Sequence, residues 1–215
     1  MKVAILGLGR FGSQLVTELV GMGVEVLAVD SDPELVNDLA EIATLAAQGN
    51  VTDLEFLESL GIEHYDTVCI AIGSEVATSV LVALMLKRRF QLKHVVAKAS
   101  TNDHAEALRL AGADLVVSPE QEAAIGLAHT LGPSSHLNEY ISLGPTFGCA
   151  KVTAPETAVE KTIGSIDAFT KYHVILLAMV RGENVTFRPD REVVVEAGDV
   201  WLIAGEDEQM RRAGI

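Results

Sequence analysis

The segment GLGRFG, residues 7–12, holds the first side chains and backbone able to do chemistry. Gly7, Gly9 and Gly12 follow a short apolar run and open a helical pattern, the context in which a glycine-rich turn binds a nucleotide diphosphate. Gly7 permits the tight turn, Gly9 lets the backbone approach the diphosphate, and Gly12 lets helix and strand pack closely. The phosphate would rest on N–H groups at the positive end of that helix. Arg10 sets a forked guanidinium inside the loop, beside Phe11, which makes an adenosine di- or triphosphate at least as attractive as a dinucleotide. Asp30, followed by Ser31, lies about 20 residues on, where a carboxylate accepts from a ribose diol and repels a 2′-phosphate, so NADP is disfavoured. The plainer alternatives are a solvent-facing arginine and a turn aspartate.

Later strand ends offer further groups, because ligands of an open parallel sheet sit beyond the carboxyl ends of its strands. Asn50, in QGN, is placed to meet an adenine edge. Ile72 and Gly73, in AIGS from Ala71 to Ser74, are placed to wall the base. Lys98, ending VVAK, is placed to pair with phosphate, and Glu120 faces either a metal or a neighbouring subunit. Solvated strand-end charges are the alternative for both. Catalytic partners are not evident: none of Tyr65, Tyr140 and Tyr172 is followed by the Tyr-x-x-x-Lys pair of short-chain reductases, and no Ser-His-Asp motif is visible. Binding without turnover leads, and a small NAD-dependent oxidoreductase with a pair distant in sequence remains the rival.

The elements that must position these residues are written as an α/β pattern from residue 1 to 131. Six apolar runs, VAILGLG, EVLAVD, ATLAAQ, TVCIAIG, HVVAKA and DLVVS, alternate with helical stretches. The helices are expected at Phe11 to Met22, Pro33 to Ala40, Asp53 to Leu60, Val76 to Arg89, His104 to Ala111 and Glu120 to Leu131. Asp32 and Thr52 are the expected caps for the second and third. The stretch from Gly132 to Ser135 breaks the rhythm as a hinge. Beyond it, residues 132–215 read as a small α+β domain of antiparallel strands: the runs CAKVTA, HVILLAMVRGENVTFRP and VWLIAGE, broken by turn residues at Gly182 to Asn184 and Ala197 to Asp199, with a short helix around Thr162 to Ala168 and a last one near Asp207 to Ala213. Its core is thin enough to lean on a partner or a copy of itself.

Composition narrows the classes. The 215 residues, 49% of them hydrophobic, can bury a real core. A formal net charge of -14 argues against nucleic acid as partner, and the basic cluster KRRF at Lys87 to Phe90 reads as a helix C-terminus favoured by the macrodipole. SVLVALML and VILLAMV fall short of a bilayer span, and no secretory leader pattern opens the chain, so a cytoplasmic protein is expected. Cys69 and Cys149 sit in apolar runs without CxxC spacing, the six histidines are scattered, and no metal site is assigned.

GLGRFG, VLAVD, AAQGN, CIAIG, VVAKA and GADLVVSPE, followed by a small domain ending VEAGDVWLIAGE, give the whole chain a resemblance to the cytoplasmic regulatory subunits of bacterial Trk/Ktr-type potassium uptake systems. The resemblance implies a Rossmann-like RCK_N (KTN) domain and a small α+β RCK_C domain. It further implies homo-oligomers, dimers assembling to an octameric ring, docked on a membrane potassium-translocating subunit and gated by ATP, ADP or NAD(H). Through it, Arg10 is a phosphate contact, Asp30 the ribose aspartate, Asn50, Ile72 and Gly73 base-flanking positions, Lys98 a phosphate-side lysine and Glu120 an acidic group near the inter-subunit nucleotide interface. Some relatives bind cyclic di-AMP through an arginine before a KY pair; in AFTKYH, Phe169 stands at that place. A stand-alone nucleotide sensor serving another transporter is the further alternative.

Overall fold

The structure is a computed structural model describing residues 1–73, 75–132 and 136–215. Ser74 of the AIGS strand end and Pro133, Ser134 and Ser135 of the expected hinge lie outside the described residues. Contacts divide the chain into two compact units, Met1–Pro119 and Glu120–Ile215.

In the first unit, strands β1 (Lys2–Leu6), β2 (Glu25–Asp30), β3 (Leu45–Gln48), β4 (Thr67–Ile70), β5 (His94–Lys98) and β6 (Leu115–Val117) form one sheet. They alternate with helices α1 (Arg10–Gly21), α2 (Pro33–Leu39), α3 (Leu54–Ser59), α4 (Val76–Arg88) and α5 (Asn102–Leu110). The sheet order is β3-β2-β1-β4-β5-β6 and every pairing is parallel. Successive side chains of β1 enter opposite faces. Val3 and Ile5 join Val16 of α1 and Val36 and Leu39 of α2, while Ala4 and Leu6 join Leu57 of α3, Val82 and Leu86 of α4 and Leu108 of α5. Burial on both faces explains why these strands are continuous apolar runs rather than alternating ones.

Helix starts follow the side-chain oxygens. Asp32 caps α2, accepting from the Glu34 N–H at 2.9 Å. Asp53, not the expected Thr52, caps α3, accepting from Glu55 at 3.0 Å. Thr52 instead donates its hydroxyl to Asn50 at 2.8 Å. At the C-terminus of α4 the basic cluster does structural work: Lys87 pairs with Asp114 at 3.0 Å and donates to the Leu92 carbonyl, and Arg89 pairs with Glu58.

The second unit contains α6 (Pro119–Leu131) almost entirely, then β7 (Leu137–Gly144), β8 (Phe147–Thr153), α7 (Asp167–Thr170), β9 (Ile175–Arg181), β10 (Asn184–Phe187), β11 (Val200–Glu206) and α8 (Asp207–Arg212). Pattern alone groups α6 with the strands before it. Its contacts run to β7: a Cβ on Gly126 would lie 2.8 Å from the Tyr140 carbonyl oxygen, and the His129 ring stacks on Tyr140 with centroids 3.8 Å apart. The antiparallel sheet has the order β10-β9-β11-β8-β7 around Trp201, Ile203, Val152 and Met179. The β9–β10 hairpin turns on Gly182 (φ +58°) at the first of two loop positions, where only glycine is comfortable. The expected helix at Thr162 to Ala168 is a 3₁₀ turn at Ile163–Ser165 followed by α7.

Candidate functional site

The glycine turn lies at the topological switch, where β1 is flanked by β2 on one side and β4 on the other. Gly7 has φ +101°, and a Cβ there would meet Ile72 Cγ1 at 2.9 Å. A Cβ on Gly12 would lie 1.9 Å from the Gly7 carbonyl oxygen, so α1 approaches β1 as closely as a backbone can. Gly9 differs: a Cβ there meets no protein atom within 4 Å. Its glycine therefore answers to no neighbour in the fold, and the space above it suits an approaching diphosphate. Gly9 is also the N-cap of α1 and supplies no side-chain oxygen, in contrast to α2, α3 and α5. The first turn of α1 has no acidic residue and begins with the exposed Arg10, so a cation stands at the positive helix end. That arrangement is unfavourable by itself and favourable around a bound anion.

Asp30 ties the loop to the second strand. One carboxylate oxygen accepts from the Leu8 N–H at 2.6 Å and the other from the Asp32 N–H at 2.9 Å, with the Ser31 hydroxyl at 3.4 Å. The oxygen that accepts from Leu8 keeps a second lone pair for a ribose hydroxyl. Asn50 is exposed, and its side-chain oxygen accepts from the Thr52 N–H at 2.9 Å and from the Thr52 hydroxyl, which leaves the amide N–H₂ end as its group for a base. Gln48 reaches the Ser31 carbonyl at 3.3 Å, so the ends of β2 and β3 are joined at this rim.

On the other side of the switch, the Lys98 chain lies over Gly73, with Cε and Nζ 3.4 Å from where a Cβ would stand. Its ammonium is 5.6 Å from the centroid of the Phe11 ring. Gly7, Gly12, Phe11, Ile72, Gly73 and Lys98 are thus brought into contact, and Asp30 is bonded to the same turn. Glu120 is placed in the second unit, in the first turn of α6. Among the described residues no cluster of His, Cys, Asp or Glu has metal-binding form.

One pair escapes the sequence: Ser79 Oγ and His104 Nε2, 2.7 Å apart and 25 positions apart in the chain. Both residues are buried, at 0% and 1% exposure. The hydrogen bonds fix the proton positions. His104 Nδ1 accepts from the Ser100 N–H at 3.2 Å, so Nε2 carries the proton and donates to Ser79, whose hydroxyl donates to the Val76 carbonyl at 2.9 Å. A histidine donating to serine is the reverse of a base activating a nucleophile. The pair is a clamp between α4 and α5.

Phe169 meets Trp201 edge to face at 5.2 Å and belongs to the second unit's core.

A doubly wound sheet with a glycine turn at its switch point, joined to a small antiparallel unit, defines an RCK-type two-domain protein. The TrkA-N domain family matches residues 3–119 and the TrkA-C domain family residues 150–214, and the chain belongs to this family. It is 32% identical over 204 residues to the Ktr system potassium uptake protein C of Bacillus subtilis (strain 168), covering 95% of this chain and 91% of that protein. The crystal structure of the GsuK RCK domain shares the fold at a TM-score of 0.67 and 18% identity, over 98% of this chain and 46% of that one. The NAD(P)-binding domain of an exopolyphosphatase-related protein from Archaeoglobus fulgidus superposes at a TM-score of 0.51 with 27% identity, over 57% of this chain and 91% of that one. Among the described residues, no helix is long and apolar enough to cross a membrane.

Proposed function

We propose that this chain is the nucleotide-sensing regulatory subunit of a potassium uptake system. It binds ATP, ADP or NAD(H) without converting them, assembles with copies of itself into a ring, and docks from the cytoplasm on a separate potassium-translocating membrane subunit. The observation that carries the nucleotide reading is the start of α1: an uncapped helix end, open space over Gly9 and the Arg10 cation. Asp30 supplies the ribose contact, Ser31 and Asn50 the adjoining rim, Ile72 and Gly73 the base wall, and Lys98 a second cation. Glu120 belongs to a neighbouring subunit's edge of the pocket. The potassium reading is supported by the relative's role, and the chain is read as an N-terminal nucleotide sensor, residues 1–131, followed by an assembly module, residues 132–215, with helix α6, whose contacts group with the module, leading into it.

Regulation needs differential affinity, because a ligand that binds two ring shapes equally shifts neither. The γ-phosphate of ATP is the differential element, felt by Arg10 and across a subunit boundary. Calorimetry with ATP, ADP and NAD, together with identification of the nucleotide that copurifies, tests the reading. Micromolar binding without consumption of the ligand is expected. Oxidation of NADH by carbonyl compounds would replace the regulator with an oxidoreductase, and copurification with a transporter of another class would replace the potassium partner.

A further inference from the structure

His104 and Ser79 are buried polar residues that the nucleotide contacts do not use. His104 lies in the first turns of α5, and its Nδ1 faces Ser100, two residues beyond Lys98 at the end of β5: the Ser100 N–H and hydroxyl both stand at 3.2 Å. Its Nε2 faces Ser79, on the helix that grows out of the Ile72–Gly73 strand end. The Thr101 hydroxyl, from the same turn, accepts the His104 backbone N–H at 3.2 Å. One imidazole thus joins the two segments that place Lys98 and Gly73 against each other.

We propose that His104 is a positioning residue of the nucleotide site: in its neutral form it holds the β5–α5 turn against α4, and its protonation releases that turn and weakens nucleotide binding. This rests on the nucleotide reading of the α1 turn. Protonation would put a second N–H on the ring at Nδ1: the Ser100 hydroxyl oxygen could turn to accept it, but the Ser100 N–H would lose its acceptor and face a donor, and the imidazolium charge would be buried against uncharged groups. The turn must then open to let water reach the ring. Burial already holds the His104 pKa below its ordinary value. The groups facing its ring nitrogens, Ser79 from α4 and Ser100 from the β5–α5 turn, are uncharged. Of the charged or titratable residues on the packed elements, Asp103, Glu106 and Arg109 on α5, Glu75 and Arg88 at the ends of α4 and His94 at the start of β5 are exposed, Lys98 ends β5 over Gly73, and Lys87 is occupied by Asp114. Among the described residues, no carboxylate bonds either ring nitrogen.

The expected linkage has a definite sign. A nucleotide that binds the closed turn favours neutral His104, so its affinity falls as pH drops below the ordinary histidine range, by about tenfold per pH unit at most for one linked proton. By reciprocity, bound nucleotide lowers the His104 pKa further. Calorimetric affinities for ADP between about pH 8 and pH 5.5 are to be compared in the wild type and in His104→Gln. The terminal phosphate of ADP titrates over the same range, so the informative quantity is the difference between the two slopes. The wild type should lose several-fold more affinity than the variant across this range, and equal slopes would overturn the inference. Imidazole ¹⁵N spectra of the wild type give a second reading independent of the variant's folding: an Nε2–H tautomer whose titration moves to lower pH when ADP is added. A titration unmoved by saturating ADP sinks this inference alone. Absence of any binding at about pH 8 sinks the nucleotide reading, and this inference with it.

Discussion

Gly9 and Gly12 sit three residues apart in one turn and answer to different demands, which makes them a matched pair of probes. Gly12→Ala drives a methyl into the Gly7 carbonyl, so α1 must move off the sheet, and a loss of about 1–3 kcal/mol in urea unfolding is expected. Gly9→Ala meets open space at φ -63°, a value alanine adopts, and should cost less than about 1 kcal/mol as a change of N-cap residue. Nucleotide affinity should nevertheless fall in Gly9→Ala, because the methyl occupies the space over the helix end. Unchanged affinity there would mean that the ligand does not lie over Gly9. Arg10 separates ligands rather than folds. Arg10→Ala should weaken ATP more than ADP, by about 1.5–3 kcal/mol if a charge-assisted hydrogen bond to the additional phosphate is lost. Calorimetry that shows equal losses for both would remove Arg10 from the sensing role.

Arg181 at the end of β9 reaches across the turn that precedes β11. Its guanidinium holds both oxygens of Asp199, at 2.7 and 2.8 Å, and also bonds Glu196 and the Val194 carbonyl. Asp199 is fully buried and takes the Glu196 N–H at 2.8 Å as well. The Arg181 hydrogen bond is the main cause holding its carboxyl below the usual range. A carboxylate with a depressed folded pKa contributes stability that is complete above its unfolded value, near 3.8, and is lost as pH falls through the folded value. The second unit should therefore lose stability below about pH 4, and Asp199→Ala should flatten that dependence while costing about 3 kcal/mol at neutral pH, as read by urea midpoints. An unchanged midpoint would show that Arg181 finds an equivalent partner in Glu196. This turn was legible in the sequence as Ala-Gly-Asp, and the six parallel strands were legible because burial on both faces writes unbroken apolar runs. Strand β7 was not: it is an edge strand with a register shift at either end, and it turns Ile141 and Leu143 outward, so neither alternation nor a continuous run marks it. The Ser79–His104 clamp and the approach of Gly126 to Tyr140 were equally hidden, since each joins residues that only the folded chain makes neighbours.

At the scale of the whole molecule, apolar surface is left over on two helices. Helix α4 buries Val82, Ala83 and Leu86 yet leaves Leu81 47% and Leu84 39% exposed, which is why its sequence is apolar on nearly every face. Helix α6 buries no residue, and Leu127 and Leu131 are 57% and 76% exposed. Fully covering a leucine stabilises an assembly by about 1.5–3 kcal/mol, so a few such residues per subunit suffice to drive self-association once a second copy presents the same faces. Light scattering coupled to size exclusion should find the wild type as a multimer. The double substitution Leu81→Glu with Leu84→Glu, on exposed positions, should lower the mass while leaving the circular dichroism spectrum unchanged. If the multimer depends on nucleotide shape, ATP and ADP should give wild-type scattering profiles that differ in radius at equal mass, and the double variant should show no such difference. A variant that keeps the full mass would move the subunit boundary away from α4 and leave α6 as the face that carries assembly.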